Sequence, residues 1–275
     1  MDVVLLGTGS PLPAADRAGP ATLVRAGGRH LLFDCGRGVL MRAAAAGSGA
    51  GAFERVLLTH LHSDHTTDFN DVVTSRWALS LTPNPLRVIG PPGTDRYVGR
   101  VMDMLADDIS YRLAHHDDLH EPPQVEVVEV LDGVVHDDDG VRITAAPTDH
   151  RPVHPTVGYR VDADGAAVVI AGDTVPCEGL DRLCADADVY VQTVVRPSLI
   201  RQIPLPRLQD VLDYHSSVED AARTAARAGV RTLVLTHPVP PPAPGTEPEW
   251  IAEAAALFDG EVILGTDLLT VTVGA

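Results

Sequence analysis

The segment His60-Leu61-His62-Ser63-Asp64-His65 puts three imidazoles and one carboxylate within six residues. Imidazole nitrogen and carboxylate oxygen are ligand types for zinc, manganese and iron. On an extended segment His60 and His62 point the same way. A tight turn after them can aim Asp64 and His65 at a second point nearby. One turn cannot complete two metal shells, so further ligands must come from elsewhere in the chain. His150, Asp173 and His237 are the candidates, each at or shortly after the end of a strand-like apolar run. They add two imidazoles and a carboxylate able to bridge. Divalent ions held this way lower the pKa of bound water and supply a hydroxide nucleophile near neutral pH. The chemistry predicted is hydrolysis at phosphorus, sulfur or a carbonyl carbon.

Such ligands need strands to carry them. Apolar runs read as strands at Val3–Leu6, Ala21–Arg25, His30–Phe33, Arg55–Leu58 and Leu86–Ile89. More follow at Val125–Leu131, Val141–Ala145, Val157–Val161, Ala166–Ala171, Val189–Gln192, Thr232–Leu235, Val262–Leu264 and Leu268–Val273. Helical periodicity covers Gly38–Ala46, Phe69–Ser80, Asp95–Ala106, Val218–Ala228 and Glu247–Phe258. Ser216 or Ser217 is placed to cap the fourth of these. Many strands with interspersed helices predict two sheets covered by helices. The run Arg55–His60 echoes Thr232–His237, each a buried strand ending in Thr-His. That echo suggests two halves delivering ligands to one place. Ala114–Pro123 is polar and rich in helix breakers, and reads as a rim or lid. Pro197–Tyr214 and Pro238–Pro244 read as proline-rich loops flanking the site. No linker divides the chain, so residues 1–275 are expected to form a single domain.

Composition narrows the chemistry. The formal net charge is −17 and every one of the 21 basic residues is arginine. Without lysine, Schiff-base chemistry and pyridoxal phosphate are excluded. A surface this acidic repels polyanions, so a nucleic-acid substrate would need a local basic patch. No apolar run is long enough for a transmembrane helix, and the N-terminus lacks the basic start of a signal peptide. Three cysteines, Cys35, Cys177 and Cys184, are too few for a disulfide scaffold and read as small buried hydrophobes in a reducing cytoplasm.

These motifs resemble those of the metallo-β-lactamase superfamily, in its ribonuclease Z and arylsulfatase-like branch. The resemblance runs over nearly the whole chain. It is carried by Leu6–Ser10, Leu32–Gly36, His60–His65, Gly90–Gly93, Ile143–His150 with Gly158–Arg160, Gly172–Thr174 and His215–Ala222. The third histidine of the pattern falls on His150 in preference to His154. Ser217 stands where that branch has threonine. The resemblance implies an αββα sandwich, two mixed β-sheets flanked by helices, with a dinuclear metal site at one edge. One ion would take His60, His62 and His150, the other Asp64, His65 and His237, with Asp173 bridging. Zinc is the first expectation, with manganese or iron as alternatives. Asp64 would orient the nucleophile or take its proton, and His215 would protonate the leaving group. Asp34 is expected to support ligands rather than bind metal. A homodimer is implied by the same resemblance.

For the substrate, the sequence departs from the arm-bearing form of ribonuclease Z. Only a short stretch separates His150 from Asp173, with no room for a tRNA-gripping arm. The acidic charge points the same way. The expectation is therefore a small-molecule ester, phosphodiester or sulfate ester, with tRNA disfavoured and no membrane partner. A thioesterase or lactonase, or a non-hydrolytic metal-binding protein, are the alternatives. Arg151, Arg196 and Arg201 are candidates to select an anion, and His154 to contact substrate. His115, His116 and His120 would decorate the rim, and His30 and His136 read as surface residues.

Overall fold

The computed structural model describes residues 1–274. Its first strands are β1 (Asp2–Gly7), β2 (Ala21–Ala26), β3 (Arg29–Phe33), β4 (Phe53–Leu57), β5 (Leu86–Gly90), β6 (Val125–Glu129) and β7 (Gly133–Asp138). The rest are β8 (Val141–Pro147), β9 (Val157–Ala163), β10 (Ala166–Ile170), β11 (Val189–Val195), β12 (Thr232–Val239), β13 (Glu261–Leu264) and β14 (Thr270–Thr272). They form two seven-stranded sheets, ordered β14-β1-β2-β3-β4-β5-β6 and β13-β12-β11-β10-β9-β8-β7. Both are mixed: β3, β4, β5 and β6 run parallel, as do β10, β11, β12 and β13, while the remaining pairs are antiparallel.

The helices are α1 (Val39–Ala45), α2 (Ser63–Thr66), α3 (Phe69–Leu79), α4 (Thr94–Met104) and α5 (Ala106–His115) on the first half of the chain. On the second half they are α6 (Glu178–Cys184), α7 (Pro197–Ile200), α8 (Pro206–Gln209), α9 (Val218–Ala228) and α10 (Glu247–Ala255). Helix α9 starts where its cap was expected. Ser217 Oγ accepts the Asp220 N–H at 3.0 Å, and the Asp220 carboxylate accepts the Ser217 N–H in return. Gly229, at φ 70°, ends it.

Burial explains the layering. Strand residues alternate between faces, so each sheet offers an apolar face to the other. Val3, Leu5, Phe33 and Leu57 of the first sheet meet Ile143, Tyr159, Val168 and Val191 of the second in one buried core. The outer face of the first sheet packs on α1, α3 and α4 through Leu6, Val39, Phe69, Val72 and Val98. The outer face of the second packs on α6, α9 and α10 through Tyr190, Leu233, Leu180, Ala222 and Trp250. The result is the expected αββα sandwich. Strand β7 and the helices α2, α5, α6, α7 and α8 escaped the sequence reading. Strand β7 is a half-exposed edge with little apolar pattern, and α5 continues almost directly from α4.

The parallel strands give the sandwich two unlike edges. The C-terminal ends of β3, β4, β5, β10, β11 and β12 share one edge. Tyr159 crosses the core there, donating its hydroxyl to the Leu58 carbonyl at 2.8 Å. The Val157 N–H donates to the Thr59 carbonyl at 2.9 Å. These bonds tie the turn after β4 to the opposite sheet. Segment 116–124 leads instead into the start of β6, at the far edge. With Trp77 and Leu81 it lines a cavity of about 250 Å³. The expectation of a rim or lid over the site at Ala114–Pro123 is therefore not met, and His120 lies remote from it.

Candidate metal centre

Each candidate ligand leaves the end of a strand or the turn that follows it, at the shared edge. Asp34, just past β3, adopts φ 58°. Its Oδ1 accepts the Thr59 N–H at 2.8 Å, and its Oδ2 accepts the Thr59 hydroxyl at 2.8 Å. The same Oδ2 lies 2.7 Å from His65 Nδ1 and accepts its proton. Because the Thr59 hydroxyl donates to Asp34, its oxygen is left to accept from His60 Nδ1, 3.0 Å away. His150 Nδ1 donates to the Tyr214 carbonyl at 2.8 Å. In all three rings the Nδ1 proton is spoken for, which turns the Nε2 lone pair inward. Metal-binding histidines are oriented in this way.

The inward nitrogens converge. His60 Nε2 and His150 Nε2 lie 3.1 and 3.3 Å from His62 Nδ1. Zinc–nitrogen bonds on a tetrahedron place ligand nitrogens about 3.3–3.4 Å apart. Asp173 Oδ2 sits at the centre of the group. It is 3.8 Å from Nε2 of both His60 and His150, 3.4 Å from His65 Nε2 and 3.9 Å from His237 Nε2. Asp64 Oδ2 is 3.2 Å from His237 Nε2 and 3.6 Å from His65 Nε2. Donor atoms of His60, His62, His150 and Asp173 all lie within 4.8 Å of one another, as do those of Asp64, His65 and His237.

Two buried polar atoms facing this centre, His65 Nε2 and Asp173 Oδ1, have no hydrogen-bond partner. Stranding such atoms is costly unless something else engages them. Burial disfavours an imidazolium at His65, yet the Asp173 and Asp34 carboxylates outweigh it and hold its pKa well above the ordinary value. Burial likewise opposes charge on Asp173, and the surrounding His237 and His65 reverse that and hold it well below the carboxylate range. His60 is pushed well down by burial, then by His65. Burial also lowers His150, to about 4. The neutral rings of His60 and His150 offer lone pairs, while the carboxylates call for positive charge. Divalent cations answer both demands, so the residues present fit them.

The second sheet places its donors by backbone shape. Gly172, at φ 67°, turns the chain out of β10 into Asp173, and a Cβ there would stand 2.7 Å from Thr59 Cβ. His237, two residues before the end of β12, also lies in the left-handed region, at φ 49°. His215 is buried at the same place. Its Nδ1 donates to the Val211 carbonyl at 3.1 Å, and its Nε2 is 3.2 Å from Asp173 Oδ2.

All seven expected ligands and His215 thus meet at one point. Other expectations fare differently. Arg196 is held by Glu249 and Glu253 at 2.8 and 2.7 Å, so it has no spare capacity for an anion. Arg151 is paired to Asp149. Arg201 is exposed with no partner among the described residues. His154 is exposed while His150 is fully buried. Cys35 and Cys184 are buried and Cys177 half-buried, all as free thiols. The sequence reading gave no role to Thr59 or Tyr214, which orient ligands. The Thr-His repeat carried a signal for Thr59. A main-chain carbonyl such as that of Tyr214 leaves no signal in side-chain type.

Residues 29–238 match the model of the β-lactamase superfamily domain. A ribonuclease Z of Mycobacterium avium is 59% identical over 277 aligned positions, spanning 100% of this chain and 99% of that protein. A ribonuclease Z of Mycolicibacterium gilvum is 57% identical, spanning 99% and 96%. Among solved structures, the metallo-β-lactamase fold protein YhfI from Bacillus subtilis aligns with TM-score 0.73 at 21% identity, covering 98% of this chain and 97% of that one. The short form of human tRNase Z aligns with TM-score 0.72 at 23% identity, covering 99% of each. The last two show the fold alone.

The chain belongs to the β-lactamase superfamily, and it is a metal-dependent hydrolase of that superfamily. The expectation of a small-ester substrate with tRNA disfavoured is overturned by the relatives named ribonuclease Z. The missing arm does not exclude RNA, because the Mycobacterium avium relative matches end to end and has no room for an arm either. The net charge does not exclude it, because a sum over the whole chain says nothing about one edge. No described helix is long and apolar enough to cross a membrane.

Proposed function

We propose that the chain is a ribonuclease Z-type endonuclease that hydrolyses a phosphodiester bond of a structured RNA, with tRNA precursors as the substrate class. The observation that carries this reading is the end-to-end match at 59% identity to a ribonuclease Z. The convergence of seven ligand residues and His215 at one point supports the hydrolytic chemistry.

His60, His62, His150 and Asp173 would hold one ion, and Asp64, His65, His237 and Asp173 the other. The mixed imidazole and carboxylate set suits zinc, with manganese or iron as alternatives. Bound ions supply Lewis-acid charge stabilisation and an activated water at the phosphorus. Asp64, at the mouth of the turn, orients the nucleophile or takes its proton. His215, its ring fixed by the Val211 carbonyl and its Nε2 3.2 Å from Asp173 Oδ2, is placed to pass a proton to the departing oxygen. Asp34 and Thr59 keep the ligand rings aimed. The free thiols fit a reducing, cytoplasmic setting.

The test is an RNA of tRNA fold carrying a 3′ extension, incubated with protein of measured metal content. Cleavage at one phosphodiester, abolished by chelator and restored by zinc, is expected. Fully metallated protein that leaves the RNA intact would overturn the reading.

A further inference from the structure

A chain with net charge −17 that binds RNA must gather what positive charge it has where the RNA lies. Most arginines are not available for this. Arg142 is paired to Asp137 at 2.8 Å and Arg231 to Asp188 at 2.5 Å, both at the edge opposite the ligands. Arg76 is buried and spent on the carbonyls of Ala50, Phe53 and Asn84. Among the described residues, Arg37, Arg96, Arg100, Arg201 and Arg207 are the arginines whose side chains make neither an ion pair nor a hydrogen bond. All five are exposed.

Their places are not scattered. Arg37 lies in the turn after β3, three residues past Asp34. Arg96 and Arg100 are one turn apart on α4, which starts from the ligand-bearing edge at the end of β5. Arg96 Nη2 and Leu61 Cδ1 lie 3.5 and 3.6 Å from the same point beside Gly93, which sets that guanidinium near the residue between His60 and His62. Arg201 and Arg207 ride the segment from β11 to His215. That segment is built as a platform: Ile200 is fully buried, and Gln209 Nε2 donates to the carbonyls of Ile200 and Ile203 at 2.7 Å each. Asp210 and Asp213 share the platform without pairing to either arginine. At the far edge, Asp162, Asp164, Asp186 and Asp188 line a shallow depression together with Arg160 and Arg231, which pair with Asp162 and Asp188. The uncommitted arginines therefore lie beside the ligands, while the arginines of the far edge are paired with carboxylates.

We infer that these five arginines form the phosphate-contact surface for RNA, α4 gripping one side of the scissile bond and the Arg201–Arg207 platform the other, in place of an arm. This rests on the reading of the substrate as RNA. Contacts of this kind set position and affinity without reading sequence.

The test compares wild-type holoenzyme with the double variants Arg201→Ala/Arg207→Ala and Arg96→Ala/Arg100→Ala. Arg142→Ala/Arg231→Ala serves as a far-edge control with the same change in charge. Binding and cleavage of 3′-extended tRNA-like RNA are measured across a salt series. Each edge pair is expected to raise KM about tenfold, leave kcat within about twofold, and flatten the log–log salt slope by about 1.5 to 2. The control pair should change none of these. If edge pairs and control behave alike while the wild type cleaves, the surface is wrong and the ribonuclease reading stands. If the wild type binds RNA through these arginines but never cuts it, the surface stands and the ribonuclease reading falls. A wild type that neither binds nor cuts RNA overturns both.

Discussion

Thr59-His60, just past β4, and Thr236-His237, near the end of β12, come from non-equivalent strands of the two sheets, and they face the same centre by different means. In the first sheet, side chains do the positioning. Asp34 reaches from β3 to bind the Thr59 N–H, the Thr59 hydroxyl and the His65 ring, and Thr59 in turn accepts from His60. In the second sheet no side chain braces His237 at Nδ1, and although Asp34 of the first sheet is itself left-handed at φ 58°, the backbone of the second acts without such a network. Gly172 and His237 hold left-handed conformations, at φ 67° and φ 49°. Thr236 makes no side-chain hydrogen bond among the described residues, and His237 Nδ1 has no partner. A repeated dipeptide thus marks neither an equivalent strand nor a repeated role, only a delivery to the same centre. One half is fixed by a buried carboxylate and the other by chain geometry, and each should fail in its own way.

The largest effect is expected from Asp34→Ala. It strands three buried donors at about 1–3 kcal/mol each. It also frees His65 directly and His60 through Thr59, one residue from each proposed ion group. Metal affinity should fall by about 100-fold, the upper end of what such supporting partners contribute. Competition with a chelator and elemental analysis read the affinity, and thermal melting reads the stability. Retention of both ions at wild-type affinity would mean that the first sheet is also held by its backbone.

Gly172→Ala should come next. It forces alanine into the left-handed region, at about 1–2 kcal/mol, and sets a Cβ 2.7 Å from Thr59 Cβ. The melting temperature should drop, and turnover should fall because Asp173 is carried out of line. A variant as stable and active as wild type would show that the second half tolerates other backbone shapes, which removes the contrast from that side.

How much of this could be read from residue types follows the same division. The run His60–His65 is legible because its donors are contiguous. His150, Asp173 and His237 are legible once a strand is seen to precede each. Asp34 is harder, since its contacts need β3 and β4 paired side by side. The fate of Ala114–Pro123 was misread for a topological reason: a polar loop looks alike at either edge, and only the parallel order of β4, β5 and β6 sends it away from the site. Charge was misread because a sum hides pairing. Arg196 looked available and is held by two glutamates, while Arg201 in the same loop has no partner.

A smaller effect is expected from Thr59→Val, which keeps shape and removes one hydroxyl. His60 Nδ1 loses its acceptor and Asp34 one of its donors. Metal affinity should fall by about tenfold, the lower end for supporting partners, with the fold intact by melting. A loss confined to one of two ions, read by stoichiometry, would match His60 belonging to a single ion group.

Thr236→Val is the matched change in the other sheet and should do least. Its side chain is largely buried beside a small cavity of about 20 Å³, lined also by Thr22 and Thr193. With no hydrogen bond to lose, stability should stay within about 0.5 kcal/mol of wild type, and metal affinity within about twofold. The pair Thr59→Val and Thr236→Val therefore isolates the contrast at one atom in each half. Equal losses of metal affinity would show that Thr236 also supports its histidine, and the two strand ends would then share a mechanism after all. A loss at Thr59 alone means that His237 is aimed by its main chain. In that case the sequence repeat preserves only the strand ending, and each sheet has its own way of presenting the ligand.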